Sequence, residues 1–503
     1  MYSTVLSAAV HGLEVQFIHV ETDISNGLPV FDMVGYLSSE VKEAGARVRT
    51  AIRNSGYSFP AKKIVVNLSP ADVRKKGSSF DLPIAVSLLV SLGEIKEDAV
   101  KNILFIGELG LDGQLQRVPG ILPIILEAEQ KGIQTCIIPK ENICESVFLH
   151  TMKVLGASDL KETAEYLNGR KMLKEAENKK TAGKSHKKEP DYADIRGQKL
   201  MKRAVEIAVA GNHNLLFIGP PGSGKTLIAQ RIPTIFPPLS EEESIEVTKI
   251  YSILGMTDKN NPVIEERPFR NPHHTATKTA LIGGGAVPKP GEVSMAHHGV
   301  LFLDELPEFK RQVLDSLRQP IEERKIHLTR RSGVYTFPCN FMLVAAMNPC
   351  PCGYYPDRNK CNCTQAQIRQ YKSHVTGPFL DRIDLCVEAP RIEYEELYGK
   401  TEEETSSQIR KRVCRARKIQ IERYKKQYTN AELTIQEMKQ YCVLDQESEK
   451  FMKTVYQKMN LTARTSHKIL KVARTIADLE ESGEIKLSHL REAVSYRIFD
   501  ERR

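Results

Sequence analysis

The chain has 503 residues, 41% hydrophobic and 27% charged; that excludes wholly disordered or fibrous proteins and, at about 150 residues per domain, predicts about three domains. Its net charge of +9 permits a polyanionic partner without demonstrating one. No apolar run approaches the roughly 20 residues of a membrane span, and the start Met1-Tyr2-Ser3-Thr4 lacks the pattern of a secretory signal, so a cytoplasmic protein without a membrane partner is expected. Residues 1–168 alternate short apolar runs (Ile64–Asn67, Ile103–Gly107, Thr135–Pro139) with helical patterns (Glu40–Ser55, Pro83–Leu92), which predicts an α/β domain. A basic linker is expected over 169–190, where Arg170, Lys171, Lys174, Lys179, Lys180, Lys184, Lys187 and Lys188 leave too little apolar surface to offset ordering entropy. A second α/β module follows over 191–392. Residues 393–503 are charged and helical, with Ile469, Leu470, Val472, Ala473, Ile476 and Leu479 at helical intervals.

In the first domain, Lys75-Lys76-Gly77-Ser78-Ser79-Phe80-Asp81-Leu82-Pro83 resembles the catalytic-serine loop of Lon-type proteases, whose α/β fold is that of ribosomal S5 domain 2. Gly107-Glu108, Pro119-Gly120 and Ile138-Pro139-Lys140-Glu141-Asn142 continue the resemblance, and Ser79 would stand at the nucleophile. A serine needs a base, which that family supplies as a lysine. Aligned backward from Ile138-Pro139, the lysine position is Leu122, with no lysine nearby before Lys131. The expectation is a Lon-like domain without peptidase activity, serving interaction or substrate engagement.

Asn214–Ile218 reads as a buried strand running into Gly219-Pro220-Pro221-Gly222-Ser223-Gly224-Lys225-Thr226, after which Leu227-Ile228-Ala229-Gln230 starts a helix. This is the P-loop pattern in its strand–loop–helix setting. Glycines let backbone N–H groups converge on phosphate oxygens, Lys225 reaches the terminal phosphates and Thr226 ligates magnesium. A second apolar strand, Gly299–Leu303, ends in Asp304-Glu305: one carboxylate to hold the magnesium shell, the other to orient or deprotonate water. Between it and the next strand, Pro307–Glu323 reads as a helix. Lys325–Thr329 and Val334–Phe337 read as a hairpin turned by Arg330-Arg331-Ser332-Gly333. The third strand, Phe341–Met347, ends at Asn348, whose amide can sense the γ-phosphate or position water; the alternative is a turn residue before Pro349. Within Gly377–Asp384, Arg382 is placed to be lent to a neighbouring subunit's phosphates, or to pair locally with Asp381 or Asp384.

These pieces in this order resemble the AAA+ ATPases, with Asp194-Ile195-Arg196-Gly197-Gln198 similar to the adenine-side box, hence Ile195 as a nucleotide contact. Arg267–His274, Gly283-Gly284-Gly285, Pro290-Gly291-Glu292, Ala296–Gly299 and Asn348–Gly353 narrow the resemblance to the ComM/YifB subfamily of magnesium-chelatase-like proteins, over essentially the whole chain. The resemblance implies an α/β multi-domain protein: a Lon-like domain, a P-loop AAA+ module and an α-helical lid. It implies ATP and Mg²⁺ as ligands, a sensor-2 role for Arg464 with Arg474 as fallback, and a homo-oligomer, expected to be a hexamer.

Cys350-Pro351-Cys352 and Cys361-Asn362-Cys363, in a loop over 350–363, could make a closed tetrahedral Zn²⁺ site or remain free thiols. His273, His274, His297 and His298 tempt as a second metal site, but neighbouring histidines are expected to point apart, which favours packing or hydrogen bonding. In a ring the basic hairpin would face the pore. Lys325, Arg330, Arg331 and Lys289 would then track single-stranded or branched DNA, or be a solvated basic face. The run Arg410–Lys426, nine Lys/Arg against Glu422 alone, is expected to coat a lid helix. By the resemblance the function is an ATP-driven DNA motor, a helicase that migrates branches in recombination or natural transformation. The alternative is a protein-remodelling or metal-insertion ATPase of the magnesium-chelatase kind.

Overall fold

The computed structural model describes residues 1–176, 190–258, 261–330, 333–390, 394 and 403–497, in two compact units. The first unit is built on the N-terminal residues and takes in the segments 241–264 and 327–336. Its eight-stranded mixed sheet runs Lys174–Glu175, Lys153–Ala157, Thr135–Pro139, Ile103–Phe105, Tyr2–His11, Glu14–Ser25, Lys63–Ser69, Val30–Val34. The long strands Tyr2–His11 and Glu14–Ser25 are antiparallel, while Ile103–Phe105, Thr135–Pro139 and Lys153–Ala157 add in parallel. Every residue of the helix Asp81–Ser91 is buried against this sheet. Its polar members are satisfied: Asp81 accepts from Arg47 Nε at 2.8 Å, and Ser87 and Ser91 bond the Ser3 hydroxyl at 2.9 and 2.7 Å.

Two sequence expectations change here. Lys174–Glu175, placed in the linker, form an edge strand antiparallel to Lys153–Ala157, because Leu173 beside them finds a buried site; residues 177–189 of the expected linker lie outside the described residues. The segment Glu241–Ile253, assigned from sequence to the nucleotide module, is a helix that packs on the helix Ile121–Gln130. Leu122 is buried there, its N–H donating to Glu145 Oε2 at 3.3 Å and Ser252 Oγ at 3.4 Å. In the serine loop the Ser79 carbonyl accepts from Gly107 N–H at 2.9 Å, and the Ser78 hydroxyl bonds the Glu108 carboxylate. Lys75, passed over in the sequence, is buried with its amine on the Pro70 carbonyl, and burial lowers its pKa.

The second unit holds a five-stranded parallel sheet in the order Phe269–Arg270, Val300–Leu303, Met342–Met347, Leu215–Ile218, Leu385–Glu388. Its central strands are wholly buried runs, as a parallel sheet covered on both faces requires. The strand Met342–Met347 separates the P-loop strand from the one ending at Asp304, so Asn348 emerges between the two. The expected helix over 307–323 is broken into Arg311–Ser316 and Arg318–Glu323: Pro320 has no N–H for the Ser316 carbonyl, and the chain turns at Leu317. Lys325–Arg330 and Gly333–Pro338 form the expected hairpin, of which 327–336 belongs to the first unit; Arg331 lies outside the described residues. Among the described residues no helix is long and apolar enough to cross a membrane.

The helical C-terminal region comprises Ser406–Tyr424, Ile435–Tyr441, Gln446–Lys458, Ala463–Leu479 and Leu487–Ser495. Three arginines of the basic run are held by partners in this region and in the helix Lys199–Gly211: Arg412 pairs with Glu206 and Glu404, Arg423 with Asp478, and Arg417 donates to the Val209 carbonyl. His213 links sheet to helices, its Nε2 lying 2.8 Å from Thr475 Oγ1. Gly211 makes room for that ring, since a Cβ there would stand 2.2 Å from His213 Nε2. Burial holds His213 down to about 4, against 6.5 for an ordinary imidazole. The depressed value means that the unfolded chain takes up this proton first. Stability is therefore complete above pH 6.5 and is lost as pH falls toward 4, with about 2 kcal/mol gone by pH 5. Urea titrations at pH 7.5 and 5 should show this loss, and His213→Gln should remove it.

Candidate nucleotide site

The carboxyl ends of the parallel strands, the place where such sheets bind ligands, carry the sequence-predicted nucleotide residues. Gly219 leaves the strand Leu215–Ile218 so close to its neighbour that a Cβ would stand 2.5 Å from the Ala389 carbonyl oxygen. Beyond it Pro220, Pro221, Gly222 and Ser223 form the loop, with Gly222 and Gly224 in the left-handed region at φ +79° and +83°. Lys225 is buried; its Nζ donates to the Gly219 and Pro220 carbonyls, each at 2.8 Å, and lies 3.4 Å from Asn348 Oδ1. Burial lowers its pKa, an effect that Asp304 partly offsets. The Thr226 hydroxyl donates to Asp304 Oδ2 at 2.7 Å, so a hydroxyl and a carboxylate oxygen converge as hard ligands suited to magnesium. The other Asp304 oxygen accepts the Glu305 N–H at 2.9 Å. Glu305 is exposed in a left-handed backbone at φ +52°, with His274 Nδ1 3.4 Å from its carboxylate.

In the segment expected to contact the base, Ile195 is buried and its carbonyl accepts from Lys202 Nζ at 2.6 Å. Gln198 ties the loop down: its amide donates to the Ser223 carbonyl at 3.1 Å and the Pro390 carbonyl at 2.7 Å. Two roles that the sequence reading did not assign are thus Gln198 as a loop anchor and His274 as a partner of Glu305. His274 did stand inside a motif that carried the family resemblance.

Arg382 and Arg464 are elsewhere. The Arg382 carbonyl accepts from Asn214 Nδ2 at 2.9 Å, at the amino end of the P-loop strand, and Arg382 precedes the amino end of Leu385–Glu388. Four-residue strands at about 3.3 Å per residue put roughly 13 Å of sheet between these arginines and the loop holding Lys225. Arg382 pairs with neither Asp381 nor Asp384 but with Glu322, at 2.9 Å, and the same Glu322 oxygen binds Arg464. Asp384 is taken by Lys468 at 3.0 Å. Both arginines line a groove of about 760 Å³ that also presents Arg324, Lys468 and Lys471. Arg474, the fallback, is buried on Asp478 and the Ser482 and Gly483 carbonyls.

The thiols of Cys350, Cys352, Cys361 and Cys363 lie within 4.8 Å of one another. Hydrogen bonding from the Tyr354 backbone holds Cys352 down to about 7, while burial pushes Cys361 up to about 12. The paired histidines do not point apart: ring centres are 4.1 Å apart for His273 and His274 and 3.9 Å for His297 and His298, where a left-handed backbone at His298 (φ +55°) brings both rings to one side. Lys289, Lys325 and Arg330 are exposed.

Family models agree with this architecture. "Magnesium chelatase, subunit ChlI" matches residues 191–397, "Subunit ChlI of Mg-chelatase" residues 20–142, and "Magnesium chelatase, subunit ChlI C-terminal" residues 403–497. The chain is 43% identical over 497 residues to competence protein ComM of Haemophilus influenzae, covering 98% of this chain and 97% of that one. It is 44% identical over 500 residues to YifB of Escherichia coli, covering 99% and 97%. The likeness to Lon protease 2 of Bacillus subtilis is partial, 28% identity over 149 residues and 27% of this chain. With a five-stranded parallel sheet behind its P-loop and likeness to ComM and YifB from end to end, the chain belongs to the ComM/YifB family of magnesium-chelatase-like AAA+ proteins.

Proposed function

We propose that this protein is an ATP-hydrolysing ring motor acting on DNA in the cytoplasm, a helicase that migrates branched DNA during recombination or natural transformation. The observation that carries the motor is the separation of Lys225 from Arg382 and Arg464 at opposite ends of the same strands. One subunit holds the triphosphate and its neighbour supplies the arginines. A hexameric ring meets this need. The DNA substrate is supported by the full-length likeness to a competence protein and by the exposed Lys289, Lys325 and Arg330, with Arg331 completing the basic hairpin in sequence.

Lys225 draws the β- and γ-phosphates into the loop, and its ammonium exchanges two carbonyl partners for anionic ones. Thr226 and Asp304 would hold a magnesium ion, whose chemistry is to offset charge on the phosphate oxygens. Glu305, steered by His274, orients the attacking water and accepts its proton, while Asn348 contacts the γ-phosphate. Glu305→Gln should keep ATP affinity and lower turnover about 10²- to 10⁴-fold, trapping ATP-bound rings. Gel filtration with ATP, alongside a phosphate-release assay, checks this; normal turnover would show the acid misassigned. Four thiolates of the cysteine loop would hold a structural Zn²⁺.

The deciding measurement is the ATPase rate with no DNA and with single-stranded, duplex and branched DNA at several salt concentrations. The motor reading expects stimulation by DNA that falls steeply with salt. The matches to magnesium chelatase subunit models favour one other reading, a protein-remodelling or metal-insertion ATPase. Stimulation by a protein partner and indifference to DNA would select it.

A further inference from the structure

Residues 349–364 hold few means of keeping a fixed shape. Among the described residues this loop buries Cys350 and Cys361, packed with Ile368, Tyr355 and Cys363, and little else that is apolar. Yet the thiols are gathered at distances that suit one ion. Tetrahedral Zn–S bonds of about 2.3 Å place sulfurs roughly 3.8 Å apart, and Cys350 Sγ stands 3.8 Å from Cys361 Sγ and 3.4 Å from Cys352 Sγ. Four protein sulfurs complete the coordination, so the site has no open position for chemistry of its own.

Its location gives it a task. Cys350 follows Asn348 by two residues, and Asn348 Oδ1 lies 3.4 Å from the Lys225 amine. The turn closed by Gly353 N–H on the Cys350 carbonyl, at 3.0 Å, lies directly on the P-loop: a Cβ on Gly353 would stand 2.6 Å from Pro221 Cδ and 3.8 Å from Asn348 Cγ. Gly353 has a left-handed backbone at φ +85°, so a side chain there is opposed both by that conformation and by Pro221. From the other side the helix Gln365–Ser373 brings Tyr371 to the Asn348 backbone. Whatever fixes the sulfurs therefore fixes Pro221 within the phosphate-binding loop and Asn348 beside Lys225.

We propose that a soft divalent ion held by Cys350, Cys352, Cys361 and Cys363 is a positioning element of the nucleotide site, setting Asn348 and the P-loop for ATP. This rests on the ATPase reading and adds a metal requirement distinct from the magnesium that travels with ATP. Because folding of the loop and metal binding are one event, loss of the ion releases Asn348 and Pro221 together. A displacement of about 1 Å at reacting groups costs on the order of 10²-fold in rate.

The test uses the full chain without DNA. Zinc content is measured by mass spectrometry, affinity with a fluorescent ATP analogue, and turnover by phosphate release, before and after stripping with a strong chelator and after adding one equivalent of Zn²⁺. The expectation is about one zinc per chain and turnover lowered about 10²-fold on stripping, then restored by zinc. Gly353→Ala should retain the zinc and show the same loss, separating coupling from unfolding. The proposal is overturned by purified protein lacking stoichiometric metal, by stripped protein with unchanged affinity and turnover, or by a zinc-loaded Gly353→Ala variant that behaves as wild type. Failure of the zinc-loaded wild type to bind the ATP analogue would instead sink the ATPase reading itself.

Discussion

Arg382→Ala should lower ATP hydrolysis about 10³-fold or more while leaving affinity for ATP within a few-fold. The arginine lies at the far end of the strands from Lys225, so its loss removes nothing that grips the nucleotide in the same subunit. Arg382 also donates to the Arg318 and Pro378 carbonyls, and a local structural defect could mimic lost catalysis. Mixing separates the two. An Arg382→Ala subunit keeps an intact P-loop, and a Lys225→Ala subunit keeps intact arginines. Each alone is expected to be inactive, and an equimolar mixture should regain hydrolysis at interfaces pairing one of each. A mixture as inactive as its components would show that the arginine does not act across subunits.

The second large effect is expected at Lys225. Its amine is buried on two carbonyls and is harder to keep charged there than in water, a state that a triphosphate relieves. Lys225→Ala should lower turnover by roughly 10²- to 10³-fold, with weaker ATP binding, unlike Arg382→Ala. Wild-type protein with ATP should resolve fluorescently labelled three- or four-stranded junctions and the variant should not. Equal yields would refute the motor.

The P-loop, the strand ending at Asp304 and the strand ending at Asn348 were legible in sequence because each is a local pattern, an apolar run followed at once by polar residues. The parallel sheet followed from them. What could not be read is non-local. Glu322 gathers Arg382 and Arg464 from segments up to 142 positions away, and no spacing rule announces such a meeting. The helix Glu241–Ile253 packs on Ile121–Gln130 although the sequence between them contains the whole P-loop. The cysteine spacing suggested a metal, but the contact of Gly353 with Pro221 joins two loops far apart in the chain. The break before Pro320 is local, and the missing N–H of a proline inside the expected helix 307–323 is enough to account for it.

The carboxylate that gathers Arg382 and Arg464 has a consequence for order of assembly. A chain with its phosphate grip at one edge and its arginines at the other has a direction, like a hook and an eye on opposite ends. Two-fold pairing, in which each copy offers the other the same edge, cannot complete two such junctions at once. Successive head-to-tail joining can, and it either closes on itself or runs on as a helical filament. On the ring reading proposed above, the last copy before closure would lack a donor and its ATP would wait, while at the other end Arg382 and Arg464 would stay held by Glu322.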